Sequence, residues 1–321
     1  MVFNEYLIGK RERMSWIAET SFGSGGTMSS GEIVGKDVTI DPNFSKGWQE
    51  VLTAGADDRK VQSREIGPQS LNYSMTFIPV NWRWLKYLMD VANADDSGTK
   101  THTFTLSNSI QSYKLEWAKR HTTNHVLTLT GNVVKKATIS WTKATGEGTE
   151  GFIKVALDCL AQDVSQGSSV TSLSNLLKEG FQYRMCKVTI NSSEVVEVNN
   201  GEMTIDNSID ENDSRYCNST LDSNIGEPIP KTFRVTGRIN VNIKDKTFYD
   251  LWDAESVVGG TNTLLFDRDG TGNDQMLFTF SNLIIHEAVA PTTIDGVTNV
   301  DLVFSAYGFT SAVARDNITT Y

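Results

Sequence analysis

Residues 124–164 read NHVLTLTGNVVKKATISWTKATGEGTEGFIKVALDCLAQDV, and the reading of this stretch decides the fold. Residues 126–134 and 137–141 are rich in β-branched and apolar side chains and poor in helix formers. Residues 142–151 carry three glycines and read as a turn. From 152 to 161 the chain alternates, with Ile153, Val155 and Leu157 on one face and Lys154, Ala156 and Asp158 on the other. Alternation with period two, punctuated by glycine, is what antiparallel strands require, because successive side chains point to opposite faces of a sheet.

The stretch recurs. HVLTLTGNVVKKATI (125–139) lines up with QMLFTFSNLIIHEAV (275–289) at an offset of 150, and Gly131-Asn132 falls on Ser281-Asn282. IKVALDCLA (153–161) matches VDLVFSAYG (300–308) at an offset of 147. Upstream, VTID (38–41) matches MTID (203–206) at 165, and LKYLMD (85–90) resembles FYDLWD (248–253) at 163. The blocks keep one order and the offsets drift by ordinary loop lengths. They predict two copies of one unit of about 130 residues each.

A chain of 321 residues has room for two domains with their own cores. No apolar run approaches the roughly 18 residues of a membrane helix, and the charged start (Glu5, Lys10, Arg11, Glu12, Arg13) is unlike a secretion signal. Three cysteines, Cys159, Cys186 and Cys217, lie far apart without CxxC spacing, which argues against a disulfide framework or a zinc site. The net charge of −10 falls entirely in residues 166–321. An acidic chain lacks the cations with which nucleic-acid binders neutralise phosphates, although DNA could pass such a protein without sticking.

Residues 1–30 end in a Gly/Ser-rich run yet contain Phe3, Tyr6, Trp16 and Phe22. Apolar anchors on a flexible tether suggest an arm that orders against another surface, or a segment that covers its own domain. The first unit then spans 31–164. It contains a long polar connection at 42–69, which could be a hairpin, and a short helix from Asn81 through Val91 that plugs the sheet with Trp82, Trp84 and Tyr87. A linker at 165–180 leads to the second unit, 181–308. There a hairpin turns around Asn191-Ser192-Ser193, a second long connection runs 207–230, and a helix runs 245–254. Residues 309–321 read as a tail.

Catalytic motifs are missing. The four histidines (His102, His121, His125, His286) have no metal-site spacing, and there is no GxSxG, P-loop or dinucleotide fingerprint. No cofactor is expected and no enzymatic activity. The run Asp267-Arg268-Asp269-Gly270-Thr271-Gly272-Asn273-Asp274 resembles part of a calcium loop through Asp267, Asp269, Asn273 and Asp274. It lacks a third early ligand and a closing glutamate, and the same residues suit a plain hairpin tip.

The order of features resembles the tail tube (major tail) proteins of long non-contractile-tailed bacterial or archaeal viruses. IAETSFGSGG and GEIVGKDVTIDPN are similar to that family's opening. TGNVVKKATISW followed by FIKVALDCLAQDV is similar to its closing strands, as are NNGEMTIDNSID and VDLVFSAYG in the second half. The resemblance implies a mostly β chain: two tandem tail-tube-like β-sandwich domains, each with one short flanking helix and long loops. It also implies partners. Copies of the chain would form homotrimeric, pseudo-hexameric rings stacked into a tube in the virion tail, touching other tail proteins, with DNA passing through the lumen and no membrane insertion. The arm residues Phe3, Tyr6, Trp16 and Phe22 would serve ring stacking, and an acidic bore would repel DNA. Two other readings are a distal tail or baseplate ring protein and a carbohydrate-binding β-sandwich module.

Overall fold

The computed structural model describes residues 12–24, 28, 32–51, 63–96, 99–119, 124–144, 151–171, 178–215, 225–242, 247–289, 299–318 and 321. The fold is mostly β. The first half contributes β1 (Glu12–Ala18), β2 (Glu32–Ile33), β3 (Lys36–Val51), β4 (Ser63–Ile78), β5 (Asp90–Asp96), β6 (Thr99–Thr105), β7 (Tyr113–Lys119), β8 (His125–Thr142), β9 (Lys154–Leu160) and β10 (Asp163–Gly167). The second half contributes β11 (Cys186–Ile190), β12 (Ser193–Val195), β13 (Val198–Asp206), β14 (Arg234–Asn242), helix α1 (Thr247–Asp253), β15 (Asn262–Asp267), β16 (Gln275–Val289) and β17 (Asn299–Asp316). Among the described residues no helix is long and apolar enough to cross a membrane.

Neighbouring strands pair antiparallel in the order β3-β4-β9-β8-β7-β1-β2 in the first half. In the second half the order is β13-β14-β17-β16-β15-β11-β12. The two orders agree strand for strand. The 3-10 turn Arg83–Tyr87 stands where α1 stands, and β9 with β10 stands where the single long β17 does. The β5–β6 hairpin has no counterpart among the described residues of the second half.

Local chemistry explains the bends. β8 serves two layers: residues 125–132 pair with β7, while 133–140 pair with β9. The change of layer falls at Gly131, whose φ of 62° is open to glycine at little cost. Its amide donates to the buried carboxylate of Glu19 at 3.0 Å. Next to it, buried Asn132 donates to the carbonyls of Tyr113 (2.7 Å) and Leu129 (2.8 Å) and accepts from the Tyr73 hydroxyl (2.9 Å). The small-residue-plus-Asn pair therefore marks a sheet corner, and β16 carries its own register shifts at Phe280–Leu283. The β11–β12 hairpin turns where expected, on Asn191 and Ser192, both with positive φ.

The halves share one buried cluster. Trp82 packs against Phe181 (5.2 Å between centroids), Phe266 (5.4 Å, stacked) and Phe278 (6.0 Å), all from the second half.

Three expectations need correcting, while the hairpin offered for 42–69 is met by the paired arms of β3 and β4. The helix 81–91 is a 3-10 turn, Arg83–Tyr87, followed directly by β5. Trp82, Trp84, Leu85, Tyr87 and Leu88 are all buried, so the segment is enclosed on every side and has no outward stripe for a regular amphipathic helix. Asn81 still accepts from the Arg83 amide at 3.1 Å. The polar connection 42–69 holds long strand arms of β3 and β4, with residues 52–62 outside the described set. The linker 165–180 begins as strand, because β10 pairs along β8. The tail 309–321 is largely β17, held between β16 and β6.

Candidate assembly surface

β13 lies along the far edge of β8, from Asn200 opposite Thr142 to Asp206 opposite Lys136. This pairing fuses the halves into a wall of eight strands, β3-β4-β9-β8-β13-β14-β17-β16. The junction is close. A Cβ on Gly201 would stand 2.4 Å from Trp141 Cζ2, so the indole lies across bare backbone. Thr138 and Thr204 meet through their hydroxyls at 3.1 Å. One face of the wall is core: Met75, Leu157, Ile139, Met203 and Leu302 are at most 1% exposed. The other face is polar and open.

The wall ends in two edges. Among the described residues β3 pairs with β4 alone, and β16 beyond Leu283 pairs with β17 alone. Trp252 Nε1 donates to the His286 carbonyl at 3.0 Å, at a register shift in β16. By strand order β16 occupies the place of β8, and β3 the place of β13. An open edge presents a row of unmatched amides and carbonyls and is a template for another strand.

Further contacts tie the halves away from the wall. β6 pairs with the end of β17, Phe104 opposite Ala312 through Lys100 opposite Asp316. There His102 is fully buried, Tyr321 stacks on its ring at 3.7 Å, and the Tyr321 hydroxyl donates to Asp316 at 2.6 Å. His102 Nε2 lies 3.4 Å from Asp316 Oδ1. Sequence reading passed over this cluster, since its members lie at opposite ends of the chain and form no motif. A second link sets Glu211 against the Ser70 hydroxyl (2.9 Å) and the Asn72 amide (2.8 Å). A third buries Leu160, Val133 and Ile225 together, with Phe22 and Ile209 packed on them. Tyr307, which the repeat aligns with Leu160, is 71% exposed.

The expected arm residues part company. Phe3 and Tyr6 lie outside the described residues. Trp16 is not on an arm: it is 1% exposed in β1, packed edge-on against Phe77, Tyr87 and Tyr113. Phe22 is half-buried beside Gly131. β1 pairs with β7 over its whole length, which places residues 12–18 within the sheet of the first half of the chain.

The Asp267–Asp274 tip is a hairpin turn with its carboxylates already engaged. Arg268 grips Asp274 through Nη2, which donates to both carboxylate oxygens (2.7 and 2.8 Å), and through Nε (3.1 Å), and Lys178 reaches the same carboxylate at 3.2 Å. Asp269 accepts from the Thr271 hydroxyl (2.6 Å) and amide (3.0 Å). Partial burial opposes ionisation of Asp269, but the Thr271 bonds outweigh it and hold the carboxyl below its usual range. Asp267 accepts from the Gly270 amide, and Asn273 from the Thr99 hydroxyl at 3.2 Å. Among the described residues no group of three or more His, Cys, Asp or Glu is placed to hold a metal.

A family model described as a phage tail tube protein matches residues 9–306. No curated protein matches the chain.

Proposed function

The chain belongs to the phage tail tube protein family, and on that premise we propose that it is a tandem duplicate of which three copies close a ring, the rings stacking into the conduit for viral DNA. It is a structural protein of the virion tail. The observation that carries the ring is the β8–β13 junction. Inside one chain β13 of the second half already extends the sheet beyond β8 of the first. Repeating the step sets β3 of one copy along β16 of the next. The contact is heterologous, so it closes when the rotation per copy divides a full turn.

Strand number argues against a single copy closing on itself, and three copies leave room for a duplex. Twenty-four strands spaced about 4.8 Å apart make a wall about 37 Å across, before side chains and tilt. Eight strands alone would close at about 12 Å, with side chains filling the inside. Exposed Tyr307 supports the same step. Its counterpart Leu160 is covered by Ile209 and Ile225 from the 207–230 connection, and the matching connection available to cover Tyr307 is the β3–β4 hairpin of a neighbour.

The test is a double substitution, Thr39→Cys with Glu287→Cys, on the two edges. Val38–Asp41 aligns with Met203–Asp206, and Glu287 pairs with Val303 as Thr138 pairs with Ala156. Mild oxidation is expected to give covalently closed trimers on a non-reducing gel, and negative-stain images should show rings and tubes. Monodisperse monomer at high concentration refutes ring assembly. Single rings without tubes move the protein to the distal end of the tail.

A further inference from the structure

Where residues 207–211 lie against the first half, an amine, a carboxamide and a carboxylate meet. β8 carries a bulge there. Val134 pairs with Cys159 and Lys136 with Asp158, which leaves Lys135 as the extra residue. Its carbonyl accepts the Asn207 amide at 3.0 Å. Its side chain reaches past β9, which lies between β8 and β4, and Nζ donates to Asn72 Oδ1 at 2.7 Å. The other end of the same carboxamide, Nδ2, donates to Glu211 Oε2 at 2.8 Å and to the Ser70 hydroxyl at 2.7 Å. Glu211 is held in turn by the Ser70 hydroxyl (2.9 Å) and by Arg215, which also donates to the Gln69 carbonyl at 2.6 Å.

These three groups hold everything that an amide exchange consumes. A carbonyl bond is about 1.2 Å long, so Lys135 Nζ stands within about 3.9 Å of Asn72 Cγ. That is close to the roughly 3–3.5 Å of a near-attack arrangement. The exchange balances without a further reagent. The free amine adds to Cγ and a new C–N bond forms. The bond from Cγ to Nδ2 breaks, one proton passes from Nζ to Nδ2, and Nδ2 leaves as ammonia. An ammonium group first releases its extra proton to solvent, and the departing ammonia takes one up. Burial opposes ionisation of Glu211, but the bonds from Asn72, Ser70 and Arg215 outweigh it and hold the carboxyl below its usual range. A carboxylate in that state can accept the proton that the amine loses and pass it to the leaving nitrogen it already touches.

We propose that Lys135 and Asn72 become joined by a side-chain amide bond, with Glu211 as the proton carrier, so that β8 is tied covalently to β4 across β9. Closing that loop restricts the unfolded chain as a disulfide does, through a bond that reductants do not cleave. Among the described residues the cysteines supply no such staple, since Cys159 and Cys186 are both free. The carboxylate comes from the second half, so the bond forms only once the two halves have docked. The repeat does not duplicate the site: at the offset of 150 Lys135 aligns with Ile285, which has no amine. The bond belongs to one folded chain and does not depend on ring assembly.

The test is intact mass spectrometry and peptide mapping of the full chain, as purified and after the folded protein has stood in an alkaline buffer, where more of the amine is free. The native protein is expected to weigh less than its sequence by one ammonia. A protease digest should contain a branched peptide that joins the segment around Asn72 to the segment around Lys135. Lys135→Arg keeps a donor for Asn72 Oδ1 but is expected to regain the full sequence mass, and Glu211→Gln should lose ammonia far more slowly than the native chain. Full sequence mass in the native protein after the alkaline incubation overturns the proposal. So does a loss of ammonia that persists in Lys135→Arg, which marks a cyclised asparagine instead. An unchanged rate in Glu211→Gln overturns the part given to the carboxylate. The native mass and peptide map decide the main question even where a variant fails to fold, and failure to form tubes leaves this readout unaffected.

Discussion

At the scale of single residues, the Asp316–His102–Tyr321 cluster makes a pH-dependent claim. Burial raises the Asp316 pKa. The bonds from His102, from the Tyr321 hydroxyl and from the Ile318 amide outweigh that, so the carboxyl ends below its usual range. A depressed carboxylate stabilises the fold above its unfolded pKa of about 3.9, and that stability is lost as pH falls through the folded value. The native protein is thus expected to lose stability in acid, below about pH 4. Asp316→Asn should be less stable by about 1–3 kcal/mol at neutral pH and should flatten the acid limb. Urea unfolding as a function of pH checks both, and an unchanged acid limb in the variant removes Asp316 from the account. None of this was legible in the sequence. Asp316 and Tyr321 sit in what reads as a tail, and their partner His102 lies two hundred residues upstream on a strand without metal-site spacing. Only the pairing of β6 with β17 brings them together.

At the scale of elements, the β8–β13 junction depends on a glycine for a steric reason. Gly201 faces Trp141, with backbone of Arg238 also 3.1 Å from where a Cβ would stand. Gly201→Ala should push the indole out of place and cost about 1–3 kcal/mol, read as a lower denaturant midpoint with altered tryptophan emission. Gly167→Ala, where a Cβ meets nothing within 4 Å, is the control and should show no such loss. Equal midpoints for the two variants would mean that the junction is not tightly packed. Elements with strong alternation were readable: β8, β9, β16 and the β11–β12 hairpin stand close to where period and turn chemistry put them. The 3-10 turn was hidden because Trp82, Leu85, Leu88 and Met89 keep helical spacing while the core encloses the segment on all sides. β1 was hidden because ERMSWIA shows no clean period: β1 pairs with β2 and β7, and Met14, Ser15 and Trp16 are all buried. The β8–β13 pairing was beyond reach, since nothing in a sequence says which edge of a sheet the next unit extends.

At the scale of the whole molecule, β1 makes residues 12–18 of the leading segment part of the sheet, through its pairing with β7. Deleting residues 1–30 removes Trp16 from among Phe77, Tyr87 and Tyr113, together with the Glu19 carboxylate that receives the Gly131 amide at the β8 bend. Losing a buried Trp alone typically costs about 3–5 kcal/mol, and here a whole strand of pairing to β7 goes with it. That is a large share of the roughly 5–15 kcal/mol that holds a domain folded. The long deletion should therefore abolish tubes by unfolding the first unit, which says nothing about stacking. The informative truncation removes residues 1–11, including Phe3 and Tyr6 but sparing β1. It is expected to keep the thermal midpoint of the full chain and still form rings, while its tubes become short or disappear in electron micrographs. Tubes of ordinary length from the short truncation sink the stacking role of these residues. A full-length midpoint for the 1–30 deletion shows instead that the first unit does not need β1, and with it goes the match between β1 and β11 on which the equivalence of the two halves depends.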